Sequence, residues 1–198
     1  MWLAAVIVLL DPALKLPPLA NLRIVLFPDP ILKKKAVDVT EFGEPVRQLA
    51  ERMLELMRAD EGVGLAAPQV GLGLRMFVCN ATGQPGDDLV CINPQLVELS
   101  GVEERDEGCL SIPGATVSMR RAVRAVMRAM DCEGRTFELA QAALPARIWQ
   151  HEIDHLDGRL IIDNMSTVDE IANRKVLKQL KDEYKARTKT KSKTSRKR

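Results

Sequence analysis

The chain has only two histidines, and they stand four residues apart in His151-Glu152-Ile153-Asp154-His155. On a helix this spacing stacks both imidazoles on one face, one turn apart, close enough to share a metal ion. Two histidines placed at random fall at this spacing about once in a hundred, before a neighbouring glutamate is asked for. Glu152 stands beside the first ligand, within reach of a water on the metal, as a general base would. The periodicity predicts the carrying helix from about Gln141 to Leu156, stopped by Gly158. Whatever fold the chain adopts must bring a third protein ligand to that helix face and leave a fourth position open for water.

The sequence narrows the choice of third ligand. Metzincin proteases continue the motif as H-E-x-x-H-x-x-G-x-x-H; here Gly158 is in place, but position 161 is Ile161 and no third histidine exists. A carboxylate or a thiolate remains. Cys109, in Glu107-Gly108-Cys109-Leu110-Ser111, sits in a Gly-containing loop after the β-rich middle and is the candidate thiolate. Cys79 and Cys91 lie in apolar runs and read as small buried hydrophobes, while Cys132, in a turn, is uninformative. A further segment, Gly62-Val63-Gly64-Leu65-Ala66-Ala67-Pro68-Gln69, reads as a loop that lets a backbone approach a ligand, with the Gln69 amide available to a developing oxyanion. It lacks the Lys-Ser/Thr of a phosphate-binding loop, which argues against nucleotide binding.

The rest of the chain reads as one α+β domain. A helix is expected over Glu44 to Ala59, where Val46, Leu49, Ala50, Met53, Leu54 and Met57 repeat at helical spacing behind Pro45. Short strands are expected over Arg75 to Cys79, Leu89 to Asn93, Leu96 to Leu99, within 117–130 and over Arg135 to Leu139, with Leu22 to Phe27 an extended edge segment. A last helix is expected from Val168 to about Lys185, opened by a Thr167…Glu170 capping box. Short antiparallel strands segregated from helices give the α+β class. At 198 residues with a full apolar complement, four cysteines are not needed as a disulfide framework and read as reduced thiols of a cytoplasmic protein. The apolar run Trp2 to Leu10 lacks a preceding basic residue and is too short to span a bilayer, so it reads as an N-terminal extension or an upstream start, without membrane attachment.

Taken together and in this order, GVGLAAPQ, EGCLS and QHEIDH resemble the peptide deformylase family, over about Leu22 to Met165. The resemblance implies short antiparallel strands around a central helix bearing the histidines, followed by a C-terminal helix, with residues 1–20 an extension, 21–187 the catalytic domain and 188–198 a basic disordered tail. It implies Cys109, His151 and His155 as metal ligands, Glu152 as acid/base, and Gln69 with the backbone N–H of Leu110 as oxyanion donors. It implies Fe²⁺ as the natural metal, with other divalent ions tolerated; the ligand set alone suggests zinc. The implied substrate is an N-formyl-methionyl nascent peptide. Water activated by metal and Glu152 attacks its formyl carbon, and formate is released. The peptide would pair as an added strand with Val63-Gly64, and Ile148, with Leu144 less securely, would line the methionine pocket. Where many bacterial members carry a peptide-binding arginine, this chain has Thr116, with Arg120 or Arg121 as stand-ins. The readings set against this one are a zincin-like metallopeptidase and a non-enzymatic, ribosome-associated metal-binding module.

Charge is uneven. Lys185 to Arg198 carries eight of the 29 Lys and Arg and no acid, so the remaining body holds 21 bases against 27 acids. A net-acidic body is a poor general binder of nucleic acid, and any polyanion, the ribosome above all, would be met by the tail.

Overall fold

The computed structural model describes the backbone of residues 16–195 and the side chains of residues 16–189. The run Trp2 to Leu10 lies outside the described residues. Leu16 and Leu19 already pack on the core, so the last part of the expected extension belongs to the body.

Helix α1 is Glu44–Ala59, with the bounds that its apolar spacing predicts. Strands follow as β1 (Gly64–Ala66), β2 (Met76–Cys79), β3 (Leu89–Ser100), β4 (Glu103–Glu107), β5 (Val117–Arg121), β6 (Arg124–Met130) and β7 (Thr136–Ala142). Helix α2 is Ala143–Leu156 and helix α3 is Thr167–Ser195. Five strands form one antiparallel sheet in the order β1-β2-β3-β6-β7, and β4 with β5 makes a separate two-stranded ribbon.

The sheet lies between α1 and α2, and the period of two along its buried strands explains how. Met76 and Val78 of β2 point into the α1 core with Leu65, Ile92, Met53 and Met57, while Phe77 and Cys79 point into the α2 core with Cys91, Met127 and Trp149. Because both faces are covered, Met76 to Cys79 is an unbroken apolar run rather than an alternating one. Helix α2 is buried along most of its length, as a central helix must be. A third cluster, with Leu32, Ile112, Val117, Ile161 and Leu180, seats the first half of α3 against β5.

Four expectations need correction. The Gly-Ala segment is not only a loop: Gly64–Ala66 forms an edge strand whose Gly64 pairs with Cys79. The two short runs around Asn93-Pro94 are one strand, β3, which absorbs them as a bulge. Asn93 takes φ +51°, and its side chain bonds both the N–H (2.8 Å) and the C=O (2.9 Å) of Val39. Helix α3 is capped one residue earlier than expected, by Ser166, whose hydroxyl accepts the Asp169 N–H at 3.1 Å. It also runs on to Ser195, so the backbone of 188–195, expected to be disordered, is helical. Strand β4 has no expectation to correct, since its Glu-Glu-Arg-Asp-Glu sequence shows no apolar pattern.

Leu22 to Phe27 is extended without joining the sheet. Its Val25 N–H donates to the Gln69 carbonyl (2.7 Å) and its Phe27 N–H to the Ser111 carbonyl (2.9 Å), strapping together two segments of the site.

Candidate metal centre

Three elements converge on one cleft of about 410 Å³: edge strand β1 with its flanking residues, the turn between β4 and β5, and helix α2. The turn carries Cys109, and it is folded by the Ile112 N–H on the Cys109 carbonyl (2.9 Å). Helix α2 carries His151 and His155, whose ring centroids are 5.0 Å apart. The ligand atoms of Cys109, His151 and His155 all lie within 4.8 Å of one another, with Cys109 Sγ 3.2 Å from His155 Nε2. One thiolate and two imidazoles this close together could hold a divalent transition metal and, being three, would leave a further position for water or substrate.

Glu152 lines the same cleft, almost wholly buried, and its Oε2 has no hydrogen-bond partner among the described residues. Burial pushes its pKa up to about 7, where a carboxyl can both take and give a proton near neutrality. Gly64 is what makes room for it: a Cβ there would stand 2.3 Å from Glu152 Oε1. Gln69 is buried, its Oε1 accepting from the Ala66 N–H (2.8 Å), which turns its amide nitrogen toward Cys109 Sγ at 3.6 Å. The Leu110 N–H has no acceptor among the described residues. Val63, half-exposed on the rim, and Ile148, buried on the wall, line the same cleft, as does Leu144. The structure therefore brings Cys109, His151, Glu152, Gln69, Leu110, Val63, Gly64 and Ile148 to one cleft, with His155 joined to them through the ligand cluster.

The arginine expectation fails. Arg121 is buried and spent: its Nε and Nη2 grip Glu107 at 3.0 and 2.9 Å, and its Nη1 pairs with Asp154. Arg120 is exposed and lines a depression beside Leu99 and Val102, away from the cleft. Thr116 is tied to α3 through its own backbone, which exchanges hydrogen bonds with the Asn173 side chain.

Sequence reasoning passed over Glu107. Its Oε2 meets His151 Nδ1 at 3.0 Å, and although burial opposes ionisation, His151 and Arg121 hold its pKa down to about 2. The signal available was its place two residues before Cys109. The other thiols are inert by environment: burial lifts Cys79 to about 12 and Cys91 well above the ordinary thiol value.

A family model described as polypeptide deformylase matches residues 21–170. The peptide deformylase of Dictyoglomus thermophilum is 50% identical over 135 residues, covering 68% of this chain and 86% of that protein. The chloroplastic/mitochondrial peptide deformylase 1B of Arabidopsis thaliana is 38% identical over 170 residues, 84% of this chain and 62% of that protein. A crystal structure of peptide deformylase from Plasmodium falciparum superposes with a TM-score of 0.80 at 36% identity, covering 83% of this chain and 98% of that one.

Proposed function

The chain belongs to the peptide deformylase family, whose metal-dependent removal of N-terminal formyl groups is its activity, and on that premise we propose that Cys109, His151 and His155 hold the metal. The substrate is the formyl-methionine end of a newly made polypeptide, and the product is formate. The observation that carries the reading is the buried Glu152 carboxyl, whose Oε2 has no partner among the described residues, in the cleft that Cys109 and His151 also line. A divalent ion bound there supplies Lewis-acid chemistry, polarising the formyl oxygen and acidifying water.

The chain's own residues do the rest. Glu152 takes the proton of the attacking water and returns it to the departing amine. The Gln69 amide and the Leu110 N–H meet the negative charge that develops on the formyl oxygen. The backbone of Gly64, on edge strand β1, and of Val63 just before it accepts the extended peptide as a further strand, and Ile148 packs on the methionine side chain. We assign the metal as Fe²⁺, with zinc or another divalent ion able to occupy the same ligands. The catalytic domain is taken as 21–187, and the setting is cytoplasmic. Among the described residues no helix is long and apolar enough to cross a membrane.

The basic tail is assigned a ribosome contact. Among the described residues Leu180 is the last buried side chain of helix α3, and the cations from Lys185 onward follow it in the sequence. Such a stalk brings an acidic body to a polyanionic particle by charge.

The test is metal analysis of anaerobically purified protein, beside formate release from a formyl-Met peptide and cleavage of an internal peptide bond. One iron per chain with formate release alone is expected. Internal cleavage would point to a metallopeptidase, and binding without turnover to a structural module.

A further inference from the structure

Glu107 and its partners form a buried charge cluster that the reaction itself does not use. Glu107 ends β4, Arg121 ends β5, and Arg147 stands one turn before His151 on α2. Arg147 Nη1 donates to Glu107 Oε1 at 2.7 Å and to the Met119 carbonyl at 3.1 Å, while its Nη2 donates to the Glu103 carbonyl at 3.0 Å. One side chain therefore pins both strands of the β4–β5 ribbon, and the carboxylate between them, to the helix that bears the histidines. The Cys109 turn joins those same two strands.

The consequence for His151 is chemical. A carboxylate that already receives Arg121 and Arg147 can only accept, so the nitrogen on its Oε2 must carry the proton. Nδ1 is thereby an N–H, which leaves Nε2 as the ring nitrogen that a metal could take. Arg121 holds the same carboxylate through Nε and Nη2 and reaches α2 at Asp154, whereas Arg147 also takes a backbone carbonyl from each strand of the ribbon. Among the described residues His155 has no such support, its buried Nδ1 having no partner there.

We propose that Arg147 is a positioning residue: through Glu107 it fixes the His151 ring with Nε2 toward the metal, and it sets the separation between the Cys109 ribbon and the histidine helix. The inference rests on the reading that Cys109, His151 and His155 are the ligands.

The experiment measures zinc affinity by chelator competition and the cobalt(II) absorption spectrum, whose thiolate band reports the Cys109 ligand, on the whole chain. Arg147→Met and Glu107→Gln are expected to lose roughly 10–100-fold in zinc affinity and to shift the cobalt bands. Arg147→Lys keeps the charge but cannot span a carboxylate and two carbonyls at once, so its affinity is expected to fall between Met and the parent. Arg128→Ala, which breaks only the exposed Arg128–Glu138 pair, is the control that should not move. Unchanged affinity and spectrum in folded Arg147→Met would overturn the proposal. A parent chain that binds no zinc at all would instead remove the ligand reading beneath it. Should the Met variant not fold, the zinc-loaded parent decides by histidine NMR: the His151 Nδ1 proton is expected well downfield of that of His155, and equal shifts would overturn the role of the Glu107 clamp.

Discussion

Replacing Gly64 by alanine tests how the general base is seated. The added methyl would stand 2.3 Å from Glu152 Oε1, 2.9 Å from its Cδ and 3.0 Å from Ile148 Cγ2. Ordinary contact begins near 3.5 Å, so the carboxylate has to retreat by roughly 1 Å. The backbone of Gly64 itself is not in the left-handed region, and alanine suits a strand, so the fold should bear the change. A displacement of that size costs roughly 10²-fold in rate, or about 2.7 kcal/mol of barrier. The assay is kcat for formate release from a formyl-Met peptide, with metal content and Tm measured on the same preparation. A fall of about two orders of magnitude in kcat with metal and Tm retained is expected from the misplaced base. A kcat within twofold of the parent would refute the argument that Gly64 exists to seat Glu152.

Three further outcomes follow from other parts of the molecule. Cys109→Ser should lose metal, since a hydroxyl is a harder and poorer ligand than a thiolate; dialysis against a weak chelator with metal analysis checks this, and undiminished content would move the third ligand elsewhere. Trp149→Ala removes the largest side chain packed between α2 and the sheet and should cost about 3–5 kcal/mol, read as a lower denaturant midpoint. Deleting 185–198 leaves the Leu180 anchor in place, so turnover of a short free peptide should not change, while ribosome co-sedimentation at low salt should be lost. If the truncated and full-length chains sediment alike at low and moderate salt, the tail is not a ribosome anchor.

What could be seen in the sequence depended on which physical rule acted alone. Helix α1 was legible to the residue because one face is buried and one is wet, so its period of 3.6 survives in the apolar spacing. The candidate metal site is legible because helical spacing alone brings His151 and His155 together, and because motif order ties them to Cys109 and Gln69. Strand β4 was invisible, since a ribbon with charged, mostly exposed side chains has no alternation to read. The bulge at Asn93 divides β3 into two strands in the sequence, because Asn-Pro is a turn signal and the bonds to Val39 that keep the chain in the sheet are tertiary. Arg121 passes for a peptide contact in the sequence because sequence cannot distinguish a free guanidinium from one already held by Glu107 and Asp154. The same blindness hid Glu107, whose role appears only when strands distant in sequence from α2 fold onto it.

The central claim is that Glu152 moves the protons of a hydrolysis for which Cys109, His151 and His155 hold the metal. Glu152→Gln tests it most directly, because the amide keeps the volume of the buried side chain, leaves all three ligands untouched and cannot take a proton from water. Metal content and formate release should be measured on one preparation of this variant and of the parent. Full metal occupancy with formate release reduced by several orders of magnitude is the expected result. Full occupancy with parental turnover would contradict the account.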